Sequence, residues 1–402
     1  MIDPTQIDRA EVYKGDALAG TLTRERDDVV FRYDPDYLVS NPRPIATTLP
    51  VSATEVRERG GAVPPFFAGL LPEGRRLTAL RSAIKTSDDD ELSQLLVVGN
   101  DCVGDVRILP AGTDPSTVPE QEPSVSLPHE VSFRELFESE LATGLGSAPS
   151  IPGVQEKLSD QMLSLPVRRR TGSAILKLSP HAYPRLVENE AFFLGLAKTV
   201  GLQVPAFSVI EDRDGERGLL VERFDRHRDR GTPGRRAQED AVQLAGRWPS
   251  AKYRLSTSEV FAAVLRVTPA RPVAALRLLR LFAYSYLIGN GDLHGKNVSV
   301  YDHPEGVWTV TPAYDLITTI PYGDQRMALQ LEGRDARLRR ATFVSFGASV
   351  GLRERVVAHV LDDLADGIEP HIDDVADIGF EPKPTEHLIR VMRERLKEIR
   401  ES

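Results

Sequence analysis

Between residues 290 and 297 the chain reads NGDLHGKN, and TPAYD follows at 311–315. Asp292 and Asn297 stand five positions apart on one predicted loop. At that separation a carboxylate can serve as the base or orienting group for an attacking hydroxyl, while an amide oxygen ligates a hard divalent cation. Asp315 follows Val307, Thr309 and Thr311, whose alternation predicts a short strand, so it falls where a further metal-ligating carboxylate belongs. Phosphoryl transfer uses such a set, because it needs positioning and charge neutralisation more than covalent chemistry. The competing reading is a helix terminus, in which Asn290 and Asp292 cap a helix over 272–289 and His294 is a packed loop histidine.

Holding a triphosphate from the opposite side calls for a cation on a strand. Ala174-Ile175-Leu176-Lys177 places a lysine in an apolar run, where its charge is costly unless paired. Glu190 is the candidate partner, since on a helix it shares a face with Phe193, Ala197 and Val200. The alternative is a surface lysine on an edge strand and a first-turn glutamate favoured by the helix dipole. The segment 150–157, SIPGVQEK, could lay backbone N–H groups over phosphates, which makes Val154, Gln155 and Lys157 candidates, with His294 and Lys296 of the first loop beside them. Glu222 and Phe224, in the run ERFD after an apolar strand, either present a hinge to an adenine or simply end the strand.

These residues need strands on one side and helices on the other. Alternation predicts strands within 11–55, around Ala17–Leu22 and Val29–Tyr33. Helical spacing takes over in 64–87, and VVGNDCVGDVRILPAG, 97–112, reads as short strands punctuated by glycine. The stretch 113–128, rich in Pro, Ser and acid, suits a linker. Residues 159–179 read as a hairpin, a helix is expected from Val187 to Val200 with Gly201 as its stop, and 226–236, RHRDRGTPGRR, as a solvated basic loop. Gln238-Glu239-Asp240 reads as a helix start. Ser256 with Glu259 makes a capping box, Pro272 starts a helix running to Leu287, and 386–402 is amphipathic.

Over 402 residues, 41% hydrophobic and 27% charged, the composition is that of a folded chain with more than one domain. A net charge of -9 argues against bulk nucleic-acid binding, and one cysteine, Cys102, excludes an intrachain disulfide framework. The opening residues lack signal-peptide features and no uncharged apolar run is long enough for a membrane span, so the cytoplasm is the expected location.

Taken in order, SIPGVQEK, AILKLS (174–179), ENEAFFLGLAKTVGL (188–202), VERFDR (221–226), QEDAVQ (238–243), IGNGDLHGKN (288–297) and TPAYD resemble the HipA family of serine/threonine-protein kinase toxins of type II toxin-antitoxin systems. PFFAGLLPEG and VGNDCVGDVRILP are similar to that family's amino-terminal domain. The resemblance implies an α+β, two-lobed protein-kinase-like fold with an additional β-rich subdomain over 1–112. A linker or surface excursion follows over 113–145, then the kinase N-lobe over 146–245 and a helical C-lobe over 246–402. It implies ATP- and Mg2+-dependent phosphorylation of a cellular protein, such as an aminoacyl-tRNA synthetase, that arrests growth. Asp292 is then the catalytic base, Asn297 and Asp315 hold Mg2+, Lys177 contacts the phosphates, and Glu222 with Phe224 lines the adenine hinge. Ser150 is the implied autophosphorylation site, whose phosphate expels its loop and switches the kinase off, and Pro152 stiffens that loop. The implied partner is a small dimeric helix-turn-helix antitoxin, HipB-like, through which operator DNA is mainly contacted. Two alternatives stay open: a non-catalytic nucleotide-binding scaffold acting as co-repressor, and a small-molecule phosphotransferase, since GDLH is also similar to aminoglycoside and choline phosphotransferases.

Overall fold

The computed structural model describes residues 3–40, 42–118, 125, 128–142, 162–169, 172–229, 232–303 and 306–401. The amino-terminal part is an antiparallel sheet of β1 (Arg9–Lys14), β2 (Ala17–Glu25), β3 (Asp28–Tyr33), β4 (Val56–Glu58) and β5 (Val106–Pro110), in the order β4-β3-β2-β1-β5. One face of each strand packs inward, so Val12, Leu22, Phe31 and Ile108 share a core with Phe67, Leu92 and Leu95. Four helices cover it: α1 (Pro35–Val39), α2 (Pro65–Ala68), α3 (Gly74–Ile84) and α4 (Glu91–Val98). The last corrects the sequence reading, which took Val97-Val98 as strand. Asp90 caps α4 by accepting from the Ser93 N–H, and the strand begins only at Val106.

A second sheet carries Lys177. Its strands β6 (Leu163–Arg169), β7 (Gly172–Leu178), β8 (Phe207–Glu211) and β9 (Arg217–Glu222) run antiparallel in the order β6-β7-β9-β8. Helix α5 (Phe133–Ala142) lies against one face, burying Phe133 and Phe137 with Ala174, Leu176 and Leu178. This helix falls inside the stretch read as linker, and Val125 of that stretch is buried with it. The period of two turns Lys177 to the opposite face, where α6 (Leu186–Thr199) packs. Gly201, at φ +80, ends α6, and the Leu202 N–H returns to the Ala197 carbonyl at 2.9 Å.

The basic stretch 226–236 is not a solvated loop. It forms a two-stranded ribbon of β10 (Arg226–Asp229) and β11 (Thr232–Arg235). Asp101 of the amino-terminal domain pairs with Arg223 at 2.8 Å and Arg226 at 2.7 Å, while Asp225 accepts from the Gly104 N–H at 3.0 Å. Burial alone would raise the Asp225 carboxyl, but Arg223 and Arg226 hold it well below the usual carboxylate range.

The third part is mainly helical. Strand β12 (Gln238–Asp240) runs straight into α7 (Ala241–Leu244), so Asp240 is a helix cap as expected while Gln238 and Glu239 belong to a strand. Helix α8 (Thr257–Val267) has the Ser256–Glu259 capping box, and α9 (Arg271–Ile288) has Pro272 in its first turn. Strands β13 (Ser299–His303) and β14 (Val307–Val310) complete a small sheet in the order β12-β13-β14. Helices α10 (Arg340–Ser349), α11 (Glu354–Ile368) and α12 (Pro382–Arg400) surround α9. Along α9, Leu278, Leu279, Phe282, Tyr286 and Leu287 are all buried, which is why it reads as apolar on every side. Among the described residues no helix is long and apolar enough to cross a membrane.

Candidate active site

Helix α9 ends because Gly289 adopts φ +74, and the Asn290 N–H returns to the Ser285 carbonyl at 2.8 Å. A Cβ on Gly289 would sit 2.2 Å from Ile320 Cδ1, so close packing also requires glycine there. The helix terminus is thus satisfied by backbone alone. Asn290 instead accepts from the Asp292 N–H at 2.9 Å and reaches the Asp315 carbonyl at 3.4 Å, tying the two candidate carboxylate loops together. The Asp292 carboxylate, in a residue only 2% exposed, accepts from the Tyr253 hydroxyl at 2.8 Å.

Across from this loop, Lys177 is 7% exposed on an inner strand, and its ammonium donates to both oxygens of Glu190, at 2.7 and 2.9 Å. Glu190 is 1% exposed, and a buried carboxylate needs such a cation to offset its desolvation. The same ammonium contacts the Asp315 carboxylate, and the other Asp315 oxygen accepts from Asn297 Nδ2 at 3.2 Å. Burial alone would lower the Lys177 ammonium, but Asp315 and Glu190 overrule it and hold it above the ordinary lysine range. Burial pushes the Glu190 carboxyl up, with Lys177 opposing and Asp315 adding to the rise. Two carboxylates thus share one cation, leaving an excess of negative charge where a further cation is favoured.

Asp315 sits at φ +54, in the left-handed region that non-glycine residues rarely adopt. Such strain persists only where the surroundings over-determine it, and it collects at functional sites. Asn297 is 2% exposed, and its Oδ1 has no hydrogen-bond partner among the described residues. An orphaned buried amide oxygen beside a carboxylate fits a magnesium site. Among the described residues no three His, Cys, Asp or Glu side chains form a metal cluster.

His294 is buried. Burial pushes its imidazole well below the usual histidine range, with Lys252 and Lys296 acting in the same direction and Asp315 opposing. Its Nδ1 accepts from the Lys296 N–H at 3.2 Å, which assigns the proton to Nε2, a donor with no partner among the described residues. The Lys296 ammonium points to the amino-terminal domain, donating to the Gly69 carbonyl at 3.1 Å. The Glu222 side chain is exposed, while its N–H donates to the Ala206 carbonyl at 2.8 Å. The Phe224 ring lies 5.8 Å from Tyr314, the residue before Asp315. Ser150, Val154, Gln155 and Lys157 lie outside the described residues. Sequence reasoning missed Tyr253 and its neighbour Lys252, since nothing in AKYRL marks either as close to a loop 39 residues away.

Asp240, beside Lys296, provides a pH test. Burial raises its carboxyl from 3.8 to about 6, with Lys296 opposing. A carboxyl raised on folding contributes most stability below its unfolded value, and that contribution is lost as pH rises through about 6. Asp240→Asn should therefore lose about 3 kcal/mol less than the parent between about pH 4 and pH 8 in denaturant titrations.

A sheet lobe with a lysine–glutamate pair, facing a helical lobe whose loops bring Asp292, Asn297 and Asp315 together, defines a protein-kinase-like α+β fold. The comparisons narrow this class. The HipA-like C-terminal domain matches residues 149–372 and the HipA N-terminal domain matches residues 10–109, and the chain belongs to the HipA family. Y4mE of Sinorhizobium fredii is 30% identical over 95% of this chain and 96% of its own length. The serine/threonine-protein kinase toxin HipA of Shewanella oneidensis is 27% identical over 80% of this chain and 78% of its own. The solved complex of Shewanella oneidensis HipA with HipB and operator DNA contains a chain of the same fold, with a TM-score of 0.77 at 22% identity, covering 97% of both chains.

Proposed function

We propose that the chain is an ATP- and Mg2+-dependent serine/threonine-protein kinase, a HipA-like toxin that phosphorylates a cellular protein. The observation that carries this reading is the unbroken set Glu190–Lys177–Asp315–Asn297, which spans both lobes beside Asp292. In the reaction, the acceptor hydroxyl passes its proton to the Asp292 carboxylate as its oxygen bonds the γ-phosphorus. The bond from that phosphorus to the β,γ-bridging oxygen breaks, and ADP leaves. Lys177, held by Glu190, binds the phosphates from the sheet lobe, and the protonated Nε2 of His294 is a donor suited to an anion. Magnesium held by Asn297 and Asp315 supplies neutralisation of the phosphate charge. Lys296, engaged by Gly69, acts on the phosphates through its field and holds the loop.

Glu222 and Phe224 form the adenine hinge, and Val154, Gln155 and Lys157 belong to the phosphate-covering loop. Ser150 is the autophosphorylation site. The protein works in the cytoplasm with a HipB-like helix-turn-helix antitoxin dimer, which makes most of the operator contacts. Incubating the purified chain with γ-labelled ATP and Mg2+ tests the reading. Label should appear on Ser150 and disappear with chelator. Nucleotide binding without transfer to the chain or to any lysate protein would favour the scaffold alternative, and transfer only to metabolites would favour a small-molecule phosphotransferase.

A further inference from the structure

We propose that Tyr253 is a positioning residue for Asp292, and that Glu73 of the amino-terminal domain fixes it through Lys252. The inference rests on the kinase reading above and goes beyond it by giving the amino-terminal domain a part in the chemistry.

The Tyr253 hydroxyl donates to Asp292 Oδ1 at 2.8 Å, which sets the plane of the carboxylate. The ring itself is held on both sides. His294 meets it edge-on, with centroids 4.9 Å apart and planes at 81°, and the Lys252 ammonium lies 5.1 Å from its centroid. The Lys252 ammonium pairs with Glu73 Oε1 at 3.1 Å. Lys252 is buried, where an ammonium is costly unless paired. Its carbonyl also accepts from the Gly295 N–H at 3.0 Å. A Cβ on Gly295 would stand 2.8 Å from Val242 Cγ2 and 3.0 Å from Leu255 Cδ1, so the 290–297 loop is pressed against the segment that bears Tyr253.

Glu73 stands just before α3, four residues after Gly69, whose carbonyl takes the Lys296 ammonium. Lys252, packed against the Asp292 loop, and Lys296, within it, are therefore anchored on one short segment of the amino-terminal domain. Glu73 Oε1 also stands 3.8 Å from the Lys296 ammonium, so one carboxylate of that segment holds both lysines and, through Lys252, the ring of Tyr253.

The test uses the full chain and follows the rate of label transfer from γ-labelled ATP to the chain itself, with nucleotide affinity measured by calorimetry using a non-hydrolysable ATP analogue. Tyr253→Phe keeps the ring and its packing and should slow transfer about tenfold, the effect of one hydrogen bond to a charged group, with affinity unchanged. Glu73→Gln should slow it in the same way by a smaller factor. Tyr253→Phe at the parent rate, beside an inactive Asp292→Asn, overturns the inference and leaves the kinase reading standing. Parallel losses of affinity, melting temperature and rate in Tyr253→Phe reduce its role to a structural one and also overturn it. Glu73→Gln at the parent rate removes the link to the amino-terminal domain. Transfer that persists in Asp292→Asn, or is absent from the parent chain, overturns inference and reading together.

Discussion

Asp292→Asn is expected to lower phosphoryl transfer by about two to four orders of magnitude, the usual contribution of a general base. The amide preserves size and can still accept from the Tyr253 hydroxyl that now meets Oδ1, so the loop should keep its shape. Nucleotide affinity should be unchanged, because the Lys177–Asp315–Asn297 hydrogen bonds do not involve Asp292. Stability should stay close to the parent's, since the amide has the size of the carboxylate and keeps an acceptor for the Tyr253 hydroxyl. A lost rate with kept affinity and kept melting temperature separates chemistry from folding. A rate near that of the parent would remove the base assigned here.

Lys177→Met is expected to disable the protein in two ways at once. It deletes the cation that pairs with Glu190, a 1% exposed carboxylate, and with Asp315. Breaking a buried pair from one side costs about 3–5 kcal/mol, because the surviving charge is left uncompensated. Denaturant titration should show that loss, and calorimetry should show nucleotide affinity falling with it. The double change Lys177→Met with Glu190→Gln removes the stranded charge and should recover most of the stability while recovering no transfer. Recovery of transfer in the double variant would contradict the role given to Lys177.

The sequence was most informative where one local rule decides the structure. Gly201 stops α6 because left-handed backbone favours glycine, and the Ser256–Glu259 box starts α8. Lys177 was legible because a lysine in an apolar strand requires a partner, and helical periodicity placed Glu190 on the inward face. Asn290 and Asp292 were ambiguous from sequence, as residues after a helix can cap it or act. Gly289 and the Asn290 N–H close the end of α9 without either side chain, which answers the capping half of that ambiguity.

What stayed hidden depends on residues far apart in the chain. Arginines of 226–236 look solvated by composition, yet Asp101, 125 positions before Arg226, orders the ribbon that begins there. Phe133 and Phe137 of α5 pack against a sheet whose strands come later, so their stretch reads as linker. Lys252 meets Glu73 from 179 positions away, and no spacing rule covers that distance.

The structure of the chain with Mg2+ and a non-hydrolysable ATP analogue tests the central claim most directly. The expected result is a metal ion bound by Asn297 Oδ1 and the Asp315 carboxylate, with Lys177 on the phosphates and the terminal phosphate facing Asp292. A nucleotide bound elsewhere, or a metal that touches neither Asn297 nor Asp315, would contradict it.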